Sequence, residues 1–178
     1  MTSPKPRVAL LVTCLVDLFR PTVGFAAVKL LEHVGCTVDV PETQTCCGQP
    51  GYNSGDRHSA AALAAQVIAA FRDYDYVVVP SGSCAGMLRK HYPALFAEGT
   101  PERAEAEAFA AKSYELVSFL TGIMHLEAPP GLCDRAVTYH DSCSGLRELG
   151  IREEPRLLLA RIPGLEFKEM AEADVCCG

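Results

Sequence analysis

Apolar residues along the chain gather into short continuous runs, separated by stretches in which they recur every three to four positions. Residues 7–13 hold such a run, Val8-Ala9-Leu10-Leu11-Val12, and read as a buried strand. Residues 23–34 carry apolar side chains at helical spacing, and Gly35 behind them predicts the helix stop. Residues 37–40 are rich in β-branched side chains and read as a strand closed by Pro41. Residues 59–71 are Ala-rich and predict a helix with Ser59 near its start as a cap. Residues 76–79 form another buried strand, stopped by Pro80, and residues 84–91 begin a helix. A segment rich in Glu and Ala, 101–124, opens with Pro101 at a helix entrance. Its Glu102–Glu107 stretch reads as a solvated face. Pro129-Pro130-Gly131 breaks the chain. Beyond it the pattern predicts a strand at 135–140, a helix at 153–161 and a strand at 165–170. Strands alternating with helices predict α/β architecture with parallel, doubly wound sheets. Such sheets place ligands at the carboxyl ends of their strands.

Composition narrows the function classes. The chain has 178 residues, 49% of them hydrophobic and 21% charged, as expected of a protein with a sizeable core. Its net charge of −6 argues against binding nucleic acid, which calls for clustered Lys and Arg. No stretch approaches the roughly 20 apolar residues of a membrane-spanning helix. Near the N-terminus, Lys5 and Arg7 precede a run of five apolar residues and then Thr13-Cys14. That run is shorter than the roughly 7–15 residues of a signal sequence core. A first strand accounts for it, and a cytoplasmic protein is the expectation.

Nine cysteines change the picture. The cytosol keeps thiols reduced, and the adjacent pairs Cys46-Cys47 and Cys176-Cys177 suit disulfides poorly, so metal or cluster binding is the leading use. Thirty-one residues separate Cys14 from Cys46, and 36 separate Cys47 from Cys84. In the second half, 32 residues separate Cys143 from Cys176. Both long gaps end in Cys-Cys-Gly, at Cys46-Cys47-Gly48 and Cys176-Cys177-Gly178. Cys14 and Cys143 are offset by 129 positions, Cys46 and Cys176 by 130. Two anchors in register define an internal repeat, with half-units expected at 1–128 and 129–178. Thiolates are soft ligands for Fe–S clusters and zinc. Gly48 and Gly178 would let the backbone approach closely or adopt positive φ. One zinc ion needs only four ligands, which Cys14, Cys46, Cys47 and Cys84 could supply.

Four sequence words carry a resemblance: Gln44-Thr45-Cys46-Cys47-Gly48-Gln49-Pro50, Tyr52-Asn53-Ser54-Gly55, Pro80-Ser81-Gly82-Ser83-Cys84 and Tyr139-His140-Asp141-Ser142-Cys143. The chain resembles the CCG-domain family, whose cysteine-rich domain is also that of the heterodisulfide reductases. Within it the likeness is to the iron–sulfur subunits of lactate utilisation and glycolate oxidation. The resemblance covers essentially the whole chain. It implies two α/β half-units, Fe–S clusters, and electron transfer in oxidation of L-lactate or another 2-hydroxy acid. It also implies partner iron–sulfur and accessory subunits. On this reading Cys14, Cys46, Cys47 and Cys84 hold one [4Fe-4S] cluster, and Cys143, Cys176 and Cys177 are part of a second. A heterodisulfide-reductase-like thiol/disulfide catalyst and a zinc-stabilised non-redox binding module are the alternatives.

The sequence departs from the family pattern in two places. The pattern often closes with Cys-x-x-Cys, whereas here Cys84 is followed by Met87 or, in the other alignment, preceded by Ser81. A thioether or hydroxyl is a poor iron ligand, which favours a four-thiolate [4Fe-4S] cluster or zinc over a five-thiolate cluster. The sequence also stops at Gly178, so the second half-unit is expected to be truncated before its closing cysteine. No Gly-x-Gly-x-x-Gly opens a helix behind the first strand, so hydride chemistry is expected of a partner.

Other candidates have plain readings. Cys36 and Cys133 fall outside the repeat and read as small buried hydrophobes, and Met87 as core. His140 either tunes a cluster through a hydrogen bond or holds its own turn. His33, His58, His91 and His125 read as surface residues. Asn53, Ser54 and Gly55 read as a turn.

Overall fold

The structure is a computed structural model that describes residues 4–176. Its first sheet has four parallel strands in the order β2-β1-β3-β4. They are β1 (Arg7–Leu10), β2 (Thr37–Asp39), β3 (Tyr76–Val79) and β4 (Ser113–Glu115). The predicted doubly wound form follows from period-two alternation in strands buried on both faces. Val8, Leu10 and Val78 point to one side, against Ala27 and Leu31 of α2 (Pro21–His33) and against Phe119 and Leu120. Ala9, Leu11, Val77 and Val79 point to the other. There they meet Ala60, Ala64 and Val67 of α4 (Arg57–Ala70) and Phe109 of α6 (Pro101–Ala111). Burying each large apolar side chain contributes roughly 1.5–3 kcal/mol, so the Val-rich centre of the sheet is its rigid platform.

The second half repeats the first. Strands β5 (Ala136–Val137) and β6 (Glu166–Phe167) pair in parallel. Arg7 pairs with Thr37 and Val8 with Val38; Ala136 pairs with Glu166 and Val137 with Phe167. All four positions are related by 129 residues, the offset of Cys14 and Cys143. The chain is therefore built of pseudo-repeated α/β half-units, each with a parallel sheet and helices. Helix α9 (Glu153–Ala160) is where the helix at 153–161 is expected.

Several elements differ from the reading of the pattern. The first strand ends at Leu10, and Cys14 opens a short helix, α1 (Cys14–Phe19). The Thr13 side chain there accepts from the Val16 N–H, so a cap wins over continued strand. Another short helix, α3 (Gln49–Asn53), follows the first Cys-Cys-Gly. Asp56, not Ser59, caps α4, its carboxylate accepting from Ser59 N at 3.0 Å. The expected helix starting at Cys84 begins earlier, as α5 (Gly82–Gly86), and widens into a π turn over Met87–His91. The 101–124 segment is not one helix. It breaks after α6 into β4, the one-turn α7 (Leu116–Ser118) and a π turn, Phe119–Ile123. Lys112 forces the break: its ammonium donates to the carbonyls of Phe71, Arg72 and Tyr74, which lays the next residues beside β3. The strands expected at 135–140 and 165–170 shrink to two residues each, β5 and β6.

The half-units meet where α5 packs on α8 (Cys143–Arg147). A Cβ on Gly82 would lie 2.7 Å from Ser142 Oγ and 3.0 Å from Gly145 N, so only glycine permits this approach. Among the described residues no helix is long and apolar enough to cross a membrane.

Candidate functional site

Cys14 and Cys84 both sit just past the carboxyl ends of neighbouring strands, β1 and β3. The Cys46-Cys47 loop reaches the same end because Gln44 clamps it. Gln44 Oε1 accepts from Val12 N at 2.7 Å, and its Nε2 donates to Pro41 O at 3.0 Å. One side chain thus ties the loop before Cys46 to the strand end before Cys14. Gly48 then turns with φ of +80°, a conformation that L side chains rarely adopt, and its Cα faces Ala60 and Leu63 of α4.

The thiols meet in two pairs. Cys47 Sγ lies 3.2 Å from Cys84 Sγ, both buried. Cys14, exposed, and Cys46, half-buried, form the outer pair, joined through their side chains. The electrostatics of the inner pair are asymmetric. Cys47 donates its S–H to Cys84, and that hydrogen bond, with others from Ser81 and Ser83, lowers the Cys84 thiol to about 7. The same bond, reinforced by burial, holds the proton on Cys47 and raises its pKa. Burial and the neighbouring Cys46 raise that of Cys14. Beneath the pair, the fully buried Tyr92 hydroxyl donates to the Cys47 carbonyl at 3.0 Å. Outside it, an open pocket of about 360 Å³ is lined by Cys14, Asp17, Glu42, Gln44, Thr45 and Cys46, among others.

In the second half, Cys143 opens α8 behind its cap Ser142, as Cys14 opens α1 behind Thr13. Cys143 Sγ lies 3.5 Å from Cys176 Sγ. Cys177 and Gly178 lie outside the described residues. His140 Nε2 donates to Val175 O at 2.8 Å, which fixes the residue just before Cys176 and assigns this histidine to the turn. Cys36 packs in the core, 3.8 Å from the Met124 sulfur, and Met87 is fully buried. Cys133 lies half-buried in the loop before β5.

Thiolates are soft donors, the kind that Fe–S clusters and zinc take. Among the described residues, no three His, Cys, Asp or Glu side chains close round a single ion. The thiols instead point at one another as hydrogen-bonded pairs.

Sequence reasoning missed three supports. Gln44 and Asp141 were visible only as letters within motif words, and Tyr92 carried no signal. Asp141 N donates to Ala173 O at 2.8 Å, the second-half counterpart of the Val12–Gln44 tie.

The paired cysteines at the strand ends, repeated at a fixed offset, are those of a known domain. The chain belongs to the CCG cysteine-rich domain family, whose model matches residues 8–89 and 137–178. Among curated proteins it is 50% identical over 173 residues to Lactate utilization protein A of Geobacillus kaustophilus (strain HTA426), a match covering 97% of this chain and 72% of that protein. It is 45% identical over 172 residues to the protein of the same name from Bacillus subtilis (strain 168), with the same coverage of each chain. To that of Anoxybacillus flavithermus (strain DSM 21510 / WK1) it is 44% identical over 171 residues, 96% of this chain and 71% of the relative.

Proposed function

We propose that the chain is the iron–sulfur electron-transfer subunit of a system oxidising L-lactate or a related 2-hydroxy acid, working in the cytoplasm with separate iron–sulfur and accessory subunits. The observation that carries this reading is the meeting of Cys14, Cys46, Cys47 and Cys84 at one end of the sheet, in a chain 50% identical to a protein named for lactate utilization.

These four thiols would hold a [4Fe-4S] cluster, and Cys143, Cys176 and Cys177 would contribute to a second. When bound, a cluster supplies one-electron storage. The chain's own residues prepare the site. Ser81, Ser83 and Cys47 ease the proton off Cys84 near neutral pH. Gln44 and Gly48 set the cysteine loop against the sheet. Tyr92 and the apolar side chains of α4 and α6 keep water from the inner pair.

One observation favours zinc as a second reading. The Cys47–Cys84 sulfur separation of 3.2 Å is about 0.6 Å short of the edge of a ZnS₄ tetrahedron with Zn–S bonds of about 2.3 Å, so this pair would open only slightly to share one ion, while Cys14 and Cys46 would have to move in to complete it. The disulfide-cleaving reading wants a fifth thiol, and the side chains in question are a hydroxyl at Ser81 and the core residue Met87. Metal analysis after anaerobic purification tests the proposal. Iron with matching acid-labile sulfide is expected; zinc without sulfide would replace the first reading with the second.

A further inference from the structure

The two π turns among the described residues line the same cavity. Met87–His91 supplies Arg89 and Lys90, and Phe119–Ile123 supplies Gly122 and Ile123. π turns are rare and occur frequently at functional sites, so two on one cavity call for an explanation. The cavity measures about 240 Å³ and lies at the carboxyl end of β4, whose Tyr114 and Glu115 line it. The second half-unit contributes Leu149 and Ile151. Ligands bind at the carboxyl ends of parallel strands and at boundaries between folding units. No cysteine lines this cavity, so it is separate from both thiol sites.

Its polar groups are arranged in two sets. Arg89 is locked: one guanidinium arm donates to the Ser113 carbonyl, and its carbon lies 5.0 Å from the centre of the Tyr114 ring. That ring is itself held by the rings of Tyr76 and Phe119. The other guanidinium N–H groups and the Lys90 ammonium have no partner among the described residues. A fixed guanidinium fork with an ammonium beside it matches a carboxylate. The second set is Glu115 and Ser118. Glu115 accepts from Ser118 N at 3.0 Å, and burial holds its carboxyl up at about 7, so it can donate as well as accept near neutral pH. The Ser118 hydroxyl has no partner among the described residues. The charge that acts on Glu115 is that of Glu154, not of Arg89 or Lys90, which places the cations and the acid in separate parts of the cavity. Ile123, Leu149 and Ile151 make the rest of the lining apolar.

We propose that this cavity binds a short carboxylate bearing a hydroxyl or keto oxygen on its second carbon, its carboxylate on Arg89 and Lys90 and its second oxygen toward Glu115 and Ser118. Size limits the ligand: at about 30 Å³ each, roughly eight waters fill the space, enough for a few carbons. Phosphate matches less well, because its second charge faces Glu115 and Glu154 and it offers no carbon to the apolar wall. An α-amino acid brings an ammonium, which an acid kept protonated by burial does not attract. That the ligand is the acid oxidised, or its keto product, rests on the functional reading above; the cavity and its chemistry do not.

The 178-residue chain, purified anaerobically, is titrated with L-lactate and with pyruvate, and binding is read by saturation-transfer NMR. Saturable binding of at least one of them is expected. Propionate, which lacks the second oxygen, should bind about fivefold more weakly or worse. Arg89→Lys keeps the charge and loses the fork, and should weaken binding about tenfold or more. Lys90→Gln changes an exposed side chain and should weaken it about threefold at an unchanged melting temperature. No saturation by either acid overturns the proposal, as does binding that neither variant changes, or propionate bound as tightly as L-lactate. Tighter binding of inorganic phosphate or of L-alanine would make the occupant a phosphate or an amino acid and would also overturn it. The titration needs no metal, so a failure here leaves the iron and sulfide result standing, and a chain without iron leaves this result standing.

Discussion

Arg156 on α9 grips the Asp141 carboxylate with both guanidinium arms, each at 2.8 Å, and reaches Glu169 at 2.8 and 3.0 Å with the same side chain. Asp141 lies two residues before Cys143, and Glu169 begins the loop leading to Cys176. One arginine thus braces both approaches to the second cysteine pair. The Asp141 side chain has no exposure to solvent, which makes this ion pair unlike those of the surface.

Arg156→Ala should strand that buried carboxylate. The expected cost is about 3–5 kcal/mol, read from urea or thermal unfolding. Hydrogen bonding and the charge of Arg156 hold the Asp141 carboxyl below its ordinary 3.8. The stability this contributes is present above that value and is lost as pH falls through the lower native one. The gap between native chain and variant should therefore close only below about pH 4.

Cys46→Ser or Cys47→Ser should abolish iron binding in the first half-unit, because a hydroxyl stays protonated near neutral pH and is a hard donor. Cys36→Ser should keep the iron and lose about 1 kcal/mol of packing, since Cys36 is buried against Met124 in the core on the opposite face of the sheet from Cys47 and Cys84. Iron, sulfide and visible absorption of each reconstituted variant measure this. Equal iron loss in Cys36→Ser would show the ligand set to be wrong.

Glu115, at the end of β4, should make the fold less stable as pH rises toward neutrality. Burial, with a smaller push from Glu154, raises its carboxyl from 4.5 to about 7. The native state then holds a proton that the unfolded state releases, so stability is fullest below about pH 4.5 and declines up to about pH 7. A shift of this size corresponds to roughly 3 kcal/mol across the window. Glu115→Gln keeps an oxygen to accept from Ser118 N and should flatten the dependence, measured by denaturant midpoints from pH 4.5 to 7.

Gly82→Ala should disturb both cysteine sites at once. The added methyl would press on the Gly145 backbone, 3.0 Å to N and 3.1 Å to Cα, which cannot rotate away. The expected cost is about 1–3 kcal/mol, together with reduced iron in both half-units. A loss of iron confined to the first half-unit would show that the α5–α8 contact does not couple them.

The sequence by itself determined the repeat, the strand centres and the cysteines at their ends. Those signals are local: Tyr76–Val79 is apolar enough to be buried on both faces, and spacing along a chain is countable before it folds. For Gly48 it left two readings open, close backbone approach or positive φ, and the structure shows a φ of +80°. Only the tertiary structure decided β4, since residues 113–115 carry helical neighbours and become a strand through the grip of Lys112 on three carbonyls up to 41 positions away. It likewise decided which thiol loses its proton, because the Cys47–Cys84 bond joins residues 37 apart and depends on where two loops stop. The roles of Gln44, Tyr92 and Arg156 belong to the same class. Each acts through a hydrogen bond or ion pair to a distant partner, and residue type and spacing alone do not specify that partner.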